Sequence, residues 1–427
     1  MATVSLPTIT DIDQYVNETA AAAKRAARVM ASTPTGVKNE VLLEAARRIE
    51  SQKSAIQEQN QFDLEAGRER GLSSAMLDRL ELNDKRLGGI IKMLEEVAAL
   101  PDPVGEISDV RVRPSGIQVG MMRVPLGVVG MIYESRPNVT IDAAALCLKS
   151  GNGCLLRGGS EAIHSNLALA RLLQATLHDF QLPSEAVSLI ETTDRAAVKA
   201  MCQQTGVVDV IIPRGGKALI ETVVDLASIP VLKHYDGNCQ IYVHSDADLQ
   251  MAHEICMNAK IQRPGVCNAV ETMLVHQDHA GEFLQGLLAD LKKHGVEVRG
   301  CEATQKADPD VKPASDEDWY TEYLDLIVAM KVVGSFEEAI EHIETYGSHH
   351  TDAIVTESYS AAQRFLREVD SSSVMVNAST RFSDGGEYGL GAEMGISTDK
   401  LHARGPMGIQ ELTCRKWIVF GSGEIRA

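Results

Sequence analysis

Apolar and polar positions along the first hundred residues recur with the period of an α-helix. The pattern predicts helices over residues 15–30, 37–66 and 74–100. Pro101 helps to end this block, because proline cannot continue a helix. Residues 110–119 then alternate between apolar and polar side chains on both sides of Pro114-Ser115-Gly116. This alternation predicts a β-hairpin, and its polar positions indicate an arm rather than a pair of core strands.

From Gly127 onward, strands alternate with helices. Predicted strands lie near Val128–Tyr133, Cys154–Arg157, Ala186–Ile190, Val208–Ile212 and Val231–His234. Predicted helices lie near Thr140–Lys149, Glu161–Phe180, Arg195–Gln204 and Lys217–Leu226. This order predicts a parallel, doubly wound sheet, and such sheets bind ligands at the carboxyl ends of their strands. A second α/β block follows from Gln240 to about Lys400, and Glu411–Phe420 predicts one further strand.

Length and composition narrow the class of protein. A chain of 427 residues is long for one compact core, so two or three domains are expected. The net charge of -18 argues against a nucleic-acid binder and against adhesion to anionic membranes. No apolar run approaches the ~20 residues of a membrane span, and no signal peptide is visible. The eight cysteines are scattered without zinc-ligand spacing, which predicts reduced thiols in the cytoplasm and no metal site.

One cysteine stands out by its position. Cys267 lies between a run with helical spacing that starts at Leu249 and a strand-like run at Glu271–His276. Pro264 and Gly265 end the helix and force a turn just before the sulfur. A cysteine held on such a loop is placed for nucleophilic chemistry, although free cysteines are more commonly small buried hydrophobes. The loop by itself leaves both interpretations open.

Two glycine turns follow predicted strands and open predicted helices. The first is Arg157-Gly158-Gly159-Ser160, with Ser160 as the expected helix cap, and the second is Arg214-Gly215-Gly216. Bare glycines let a cofactor approach the backbone, and a helix N-terminus favours anions. The fingerprint GxGxxG is absent, so a standard Rossmann site is not expected. Arg157, at the end of the second strand, suits the 2′-phosphate of NADP; an ordinary turn with a solvated arginine is the alternative.

Three stretches resemble the aldehyde dehydrogenase superfamily, and specifically its gamma-glutamyl phosphate reductase family: residues 263–268, 333–354 and 380–395. The resemblance covers essentially the whole chain and implies an aldehyde dehydrogenase-like α/β fold. It implies an NADP-binding domain (1–106 and 125–239), a catalytic domain (240–404) and a β oligomerisation arm (107–124 and 405–427). The implied reaction is the NADPH-dependent reduction of L-glutamyl 5-phosphate to L-glutamate 5-semialdehyde through a cysteine thioester, the second step of proline biosynthesis.

The resemblance also implies roles for single residues. Cys267 is the nucleophile, and Asn138 donates a hydrogen bond to the oxyanion, although asparagine also fits a helix N-cap. The predicted NADP(H) contacts are Arg157, Gly158, Gly159, Ser160, Arg214, Gly215, Gly216 and Glu322. The predicted partners are the small-molecule substrate, glutamate 5-kinase and further copies of the chain. Arg381 and Arg404 lie in Gly-rich loops and could bind the carboxylate or phosphate, or be surface charges.

Departures from the aldehyde-oxidising relatives favour reduction. Those enzymes carry a glutamate base ahead of a Gly-Gly pair, where this chain has Asp236-Gly237-Asn238. A weakened base fits an acyl phosphate substrate, since phosphate is already a good leaving group. An oxidising dehydrogenase and a non-catalytic binding protein of the same fold are the alternatives. His342 and the pair at 349–350 do not predict a metal, because a Glu338–His342 pair is commonplace on helix surfaces.

Overall fold

The computed structural model describes residues 7–426 and divides them into two compact units. The first unit takes the described chain up to Lys233, then Gly389–Gly395, and then Met407 to residue 426. The second unit comprises His234–Tyr388 and Ile396–Pro406.

The helices of the described residues are α1 (Ile12–Met30), α2 (Thr35–Ser51), α3 (Lys53–Glu69), α4 (Ser74–Leu80), α5 (Asp84–Ala99), α6 (Asn138–Lys149), α7 (Ile163–Asp179), α8 (Ala196–Cys202), α9 (Lys217–Leu226), α10 (Leu249–Ile261), α11 (Glu282–Lys293), α12 (Glu302–Ala307), α13 (Phe336–Tyr346) and α14 (Tyr359–Glu368). The strands are β1 (Ile107–Val112), β2 (Gln118–Pro125), β3 (Val128–Tyr133), β4 (Gly153–Arg157), β5 (Val187–Leu189), β6 (Val210–Arg214), β7 (Cys239–Val243), β8 (Val270–His276), β9 (Glu297–Gly300), β10 (Lys312–Pro313), β11 (Ile327–Val333), β12 (Thr351–Val355), β13 (Ser373–Val376), β14 (Ile396–Ser397), β15 (Gly405–Pro406) and β16 (Thr413–Phe420).

The first unit is built on a parallel sheet in the order β5-β4-β3-β6. Successive strands run outward from β3 through β4 to β5, and β6 then returns to the other side of β3. The strand order therefore reverses between β3 and β6, and their last paired residues are Tyr133 and Arg214. Ligands of doubly wound sheets bind where the order reverses. The predicted parallel sheet is confirmed, and it brings the end of β3 beside the second glycine turn.

Two local predictions in the first unit are wrong. The run 37–66 forms two helices, because Gln52 leaves the helical conformation with ψ of 15°. The strand expected at Val231–His234 is reduced to a single parallel bridge between Val231 and Ile211.

A separate antiparallel sheet in the first unit has the order β1-β2-β16. The predicted hairpin is confirmed, and β16 pairs with β2 along its whole length. β16 forms one edge of the sheet, and its exposed apolar side chains include Trp417 (66%) and Val419 (58%).

The second unit is built on a parallel sheet of seven strands in the order β10-β9-β11-β8-β7-β12-β13. Its central strands read as continuous apolar runs, such as Ile241–Val243 and Met273–Val275, and all of these residues are fully buried. Helices cover both faces, so each face of the sheet has its own apolar cluster. Among residues 7–426, no helix combines the length and the apolarity that crossing a membrane requires.

Candidate active site

Cys267 lies on a short loop of the second unit between α10 and β8, as the sequence predicts. The loop turns tightly around the cysteine, because the Ala269 N–H donates to the Val266 carbonyl at 3.0 Å. The Asn268 side chain is buried and donates to the Ser383 carbonyl at 2.8 Å. Cys267 itself is half-buried. The loop is therefore anchored by hydrogen bonds at Val266 and Asn268, around a cysteine that is only half-buried.

A buried ion pair joins the two elements that carry this loop. Lys260 at the end of α10 and Glu271 at the start of β8 meet at 2.7 Å, and neither side chain is exposed. Glu271 also accepts from the Leu324 N–H at 3.3 Å. Burial raises the pKa of Glu271 to about 7, although the nearby Lys260 charge lowers it. Removing either partner would leave a buried group unpaired, which typically costs about 3–5 kcal/mol.

Gly237, just before β7, and Cys239, its first residue, both contact the backbone of Cys267. A Cβ atom on Gly237 would lie 2.0 Å from the Cys267 carbonyl oxygen and 2.6 Å from its Cα, so only glycine fits there. The thiol of Cys239 donates to the same carbonyl oxygen at 3.1 Å. Burial raises the pKa of the Cys239 thiol well above its usual value. Cys239 is therefore a neutral hydrogen-bond donor that supports the nucleophile loop.

Two histidines lie beside the sulfur of Cys267. Cys267 Sγ and one ring nitrogen each of His234 and His350 lie within 4.8 Å of one another. The two rings meet edge to face, with centroids 5.2 Å apart. His234 Nδ1 lies 2.9 Å from the Ile396 carbonyl oxygen. All three residues precede a strand, and those strands, β7, β8 and β12, are neighbours at the centre of the sheet.

The two arginines predicted to bind the substrate have different surroundings. Burial, followed by the charge of Arg263, lowers the pKa of Arg381, whereas the charge of Cys267 raises it. Arg381 Nε donates to Gln262 at 2.8 Å. Arg404 is held differently, because its guanidinium donates to the Asp370 carboxylate at 2.6 Å and to the Asp370 carbonyl at 2.8 Å. Arg381 thus lies within electrostatic reach of the sulfur.

Glu322 lies within electrostatic reach of Cys239 and Glu271. Its charge contributes to the raised pKa values of Cys239 and Glu271, after the larger effect of burial. Asp236, which the resemblance aligns with the base of the oxidising enzymes, is half-buried next to Gly237. Arg381 therefore lies within electrostatic reach of Cys267 and Glu322 within reach of Cys239, whereas Arg404 is bound to Asp370.

In the first unit, the glycine turn after β6 already binds an anionic oxygen. The Gly216 N–H, at the start of α9, donates to the Glu134 carboxylate at 3.0 Å. A Cβ on Gly215 would lie 2.4 Å from that carboxylate, so the turn depends on a bare glycine. Arg214 pairs with Glu393 at 3.2 Å. The turn fits a cofactor phosphate, because its N–H groups at a helix start bind negative oxygen.

The other predicted cofactor turn follows β4. Arg157 is only 8% exposed, and its Nη2 donates weakly to the Thr193 carbonyl at 3.4 Å, whereas the buried Nε has no hydrogen-bond partner. Burial lowers the pKa of Arg157, and the charge of Glu161 raises it. The exposed Arg195 lies within electrostatic reach of Arg157. The Nε of Arg157, which has no hydrogen-bond partner and lies near the charge of Arg195, could donate to a cofactor phosphate.

Asn138 is the first residue of α6, so its predicted role as an N-cap is wrong, because Pro137 holds that position. Its amide donates to the Asp142 carboxylate one turn later at 2.8 Å. Burial raises the pKa of Asp142 to about 6. Asp142 fixes which way the Asn138 amide points.

Two further local predictions are wrong. Ser160 makes no cap hydrogen bond, because Gly159 precedes the 3₁₀ turn and Asp63 accepts from the Ser165 N–H of α7 at 2.8 Å. Glu338 pairs with Lys331 at 3.2 Å instead of with His342. His342 is buried, with its Nδ1 2.9 Å from Gln240 Oε1, and burial lowers its pKa to about 3.

Sequence reasoning did not place His234, His350 and Cys239 beside the sulfur, and it dismissed the pair at 349–350 as metal ligands. The available signal was that Cys239 and His350 lie at or just before the start of a strand-like run, as Cys267 does, whereas His234 ends the predicted strand Val231–His234. That signal becomes informative only once β8, β7 and β12 are known to be adjacent.

Comparisons with known proteins identify the family. Residues 3–307 match the model of the aldehyde dehydrogenase family. The chain belongs to the aldehyde dehydrogenase family. It is 53% identical to the gamma-glutamyl phosphate reductase of Thermodesulfovibrio yellowstonii and 54% identical to that of Halothermothrix orenii. Each alignment covers 97% of this chain and 100% of the relative.

A solved structure shows the same fold. The gamma-glutamyl phosphate reductase of Thermotoga maritima superposes with a TM-score of 0.94 at 48% identity, covering 96% of this chain and 100% of that one. As a member of the aldehyde dehydrogenase family, the chain is an oxidoreductase that uses a nicotinamide cofactor and acts on a small molecule.

Proposed function

We propose that this aldehyde dehydrogenase family member reduces L-glutamyl 5-phosphate to L-glutamate 5-semialdehyde and phosphate, using NADPH. That reaction is the second step of proline biosynthesis from glutamate. The observation that carries the proposal is the half-buried Cys267, held on an anchored loop within electrostatic reach of Arg381. The names of relatives at 53% and 54% identity support the substrate.

The reaction begins when the Cys267 thiolate attacks the acyl carbon of the substrate. A C–S bond forms, the C–O bond to phosphate breaks, and a thioester remains on the enzyme. Arg381 offsets the charge of the departing phosphate, for which a guanidinium is well suited. Arg404 stays a predicted contact for the substrate carboxylate, although it is the less favourable candidate because Asp370 already holds it.

Reduction of the thioester requires a hydride and a place for negative charge. When bound, NADPH supplies the hydride. We propose that the cofactor is held by the two glycine turns of the first unit and by Glu322. The residues are Arg157, Gly158, Gly159, Ser160, Arg214, Gly215, Gly216 and Glu322. Asn138, oriented by Asp142, is the proposed side-chain donor to the oxyanion. Collapse of that oxyanion breaks the C–S bond, releases the aldehyde and restores the thiolate.

An aldehyde-oxidising enzyme is the competing function in the same family. Oxidation ends in hydrolysis, for which a base must activate water. The half-buried Asp236 has a shorter side chain than the usual glutamate. Acyl phosphate chemistry needs no such base, so the sequence at this position favours reduction.

The test replaces the nucleophile and a matched thiol. Cys267→Ser is expected to lose nearly all reductase turnover while folding normally. Cys301→Ser is the control, because Cys301 is also half-buried. Burial raises the pKa of Cys301, but hydrogen bonds with Thr304 and from the Val332 N–H bring it below its usual value. If Cys267→Ser kept more than about a few per cent of wild-type turnover, thiol catalysis would be excluded.

The setting of the enzyme is proposed from the same family. We place it in the cytoplasm, as a homo-oligomer formed through the exposed β16 edge. Binding to glutamate 5-kinase is a further prediction, which co-elution of the two purified enzymes on a sizing column would test; separate elution would count against it.

A further inference from the structure

The cluster of His234, Cys267 and His350 has a composition that the proposed reaction does not require. Their three donor atoms lie within 4.8 Å of one another. Thiolate and imidazole are the ligands that Zn²⁺ prefers among protein side chains. A zinc site that water or substrate can reach usually has three protein ligands and an open fourth position.

The fold explains why three residues so distant in sequence meet. His234 and His350 precede β7 and β12, and Cys267 precedes β8. These strands are parallel neighbours, so the segments that lead into them share one edge of the sheet. The donor set is therefore positioned by the core of the second unit rather than by mobile side chains alone.

His234 carries the second interaction that metal-binding histidines usually have. Its Nδ1 lies 2.9 Å from the Ile396 carbonyl oxygen, which can only accept. The proton of the neutral ring therefore lies on Nδ1, and the lone pair lies on Nε2. Such a carbonyl contact fixes the tautomer and the ring orientation of a metal ligand.

The distances are close to those of a bound ion. Zinc bond lengths put neighbouring donors of a tetrahedral site about 3.4–3.6 Å apart. The observed limit of 4.8 Å requires movements of about 1 Å, which side-chain rotation supplies. The nearby guanidinium of Arg381 opposes a cation, and loss of the Cys267 proton on binding offsets one charge.

We propose that His234, Cys267 and His350 bind a borderline-soft divalent cation, with Zn²⁺ the natural occupant, and that this binding reversibly inhibits the enzyme. Binding forms a bond from the Cys267 sulfur to the metal and releases the thiol proton to solvent. The sulfur is then unavailable for attack on the substrate. The inhibitory part rests on the proposed function of Cys267, whereas the metal site itself does not.

Cobalt is the probe, because Zn²⁺ is spectroscopically silent. We expect Co²⁺, added to the reduced, metal-free enzyme, to produce a thiolate-to-cobalt charge-transfer band that saturates at one ion per chain. Cys267→Ser should abolish the band, and Cys414→Ser, which removes an exposed thiol, should keep it. His234→Ala and His350→Ala should each weaken Co²⁺ binding by about tenfold or more.

A second measurement uses only the wild-type chain. Zn²⁺ should protect Cys267 from alkylation by iodoacetamide, as read by peptide mass, and should leave Cys414 reactive. No charge-transfer band, a band unchanged in Cys267→Ser, or no loss of affinity in either histidine variant would overturn the site.

Inhibition is tested apart from binding. Micromolar Zn²⁺ should stop NADPH turnover, and EDTA should restore it. Binding without inhibition would overturn the inhibitory part. An enzyme that shows no acyl phosphate reduction at all would contradict the proposed function, while the cobalt spectra would still decide the metal site.

Discussion

Gly237→Ala should disable the nucleophile without unfolding the chain. The added Cβ would lie 2.0 Å from the Cys267 carbonyl oxygen and 2.6 Å from Cys267 Cα. Ordinary contact begins at 3.4 Å, so the oxygen must retreat by about 1.4 Å. The obstacle is backbone, and the anchored loop cannot yield by rotating a side chain.

The magnitude follows from that displacement. Overpacking of this kind lowers the free energy of unfolding by about 1–3 kcal/mol. A shift of ~1 Å in a catalytic group typically costs roughly 10²-fold in rate. We therefore expect kcat/KM for NADPH-dependent reduction to fall about 100-fold or more, and the alkylation rate of Cys267 to change with it.

The matched control is Gly286→Ala, in the same unit. A Cβ on Gly286 meets nothing within 4 Å, and the residue lies inside α11. That variant should gain about 0.5–1 kcal/mol of stability and keep wild-type activity. If Gly237→Ala retained wild-type kcat/KM and an unchanged alkylation rate, the close approach of Gly237 would not position the nucleophile.

Two further predictions concern the cofactor and assembly. Arg157→Ala should weaken NADPH binding roughly ten- to a hundredfold and leave NADH nearly unchanged, because a charged hydrogen bond contributes ~1.5–3 kcal/mol; equal losses for both cofactors would show that Arg157 serves the fold. Trp417→Glu should reduce the molar mass measured by light scattering, since a charge on an exposed edge strand blocks pairing with a second copy, whereas Leu401→Glu, equally exposed, should not. A wild-type monomer, or an unchanged mass in Trp417→Glu, would contradict the proposed assembly.

Much of the fold could be predicted because periodicity and turn residues agree. The helix expected at Lys217–Leu226 has those bounds in the structure, since Gly215-Gly216 precedes it and an apolar stripe runs through it. The break at Gln52 carries no glycine or proline and so gives no local signal. The segment after Pro230 reads as a strand, yet its pairing is limited to a single bridge at Ile211, in which the Leu232 N–H donates to the Ile211 carbonyl at 3.0 Å.

The candidate site was predictable only in part. Cys267 could be found from its own loop, because a cysteine between turn residues and a strand is a local pattern. His234 and His350 could not, because their place beside the sulfur depends on the strand order β8-β7-β12. The rule that ligands bind at carboxyl ends of strands is the basis of the cofactor site proposed in the first unit. In the second unit the nucleophile instead precedes its strand.

Phosphate dependence of the reverse reaction tests the central claim most directly. The measurement follows NADP reduction with L-glutamate 5-semialdehyde, with and without inorganic phosphate at equal ionic strength, and identifies the product. Because water needs a positioned base to attack the Cys267 thioester and phosphate does not, the account predicts turnover only with phosphate and the acyl phosphate as product. Steady turnover without phosphate, yielding free glutamate, would contradict it and identify an aldehyde-oxidising dehydrogenase.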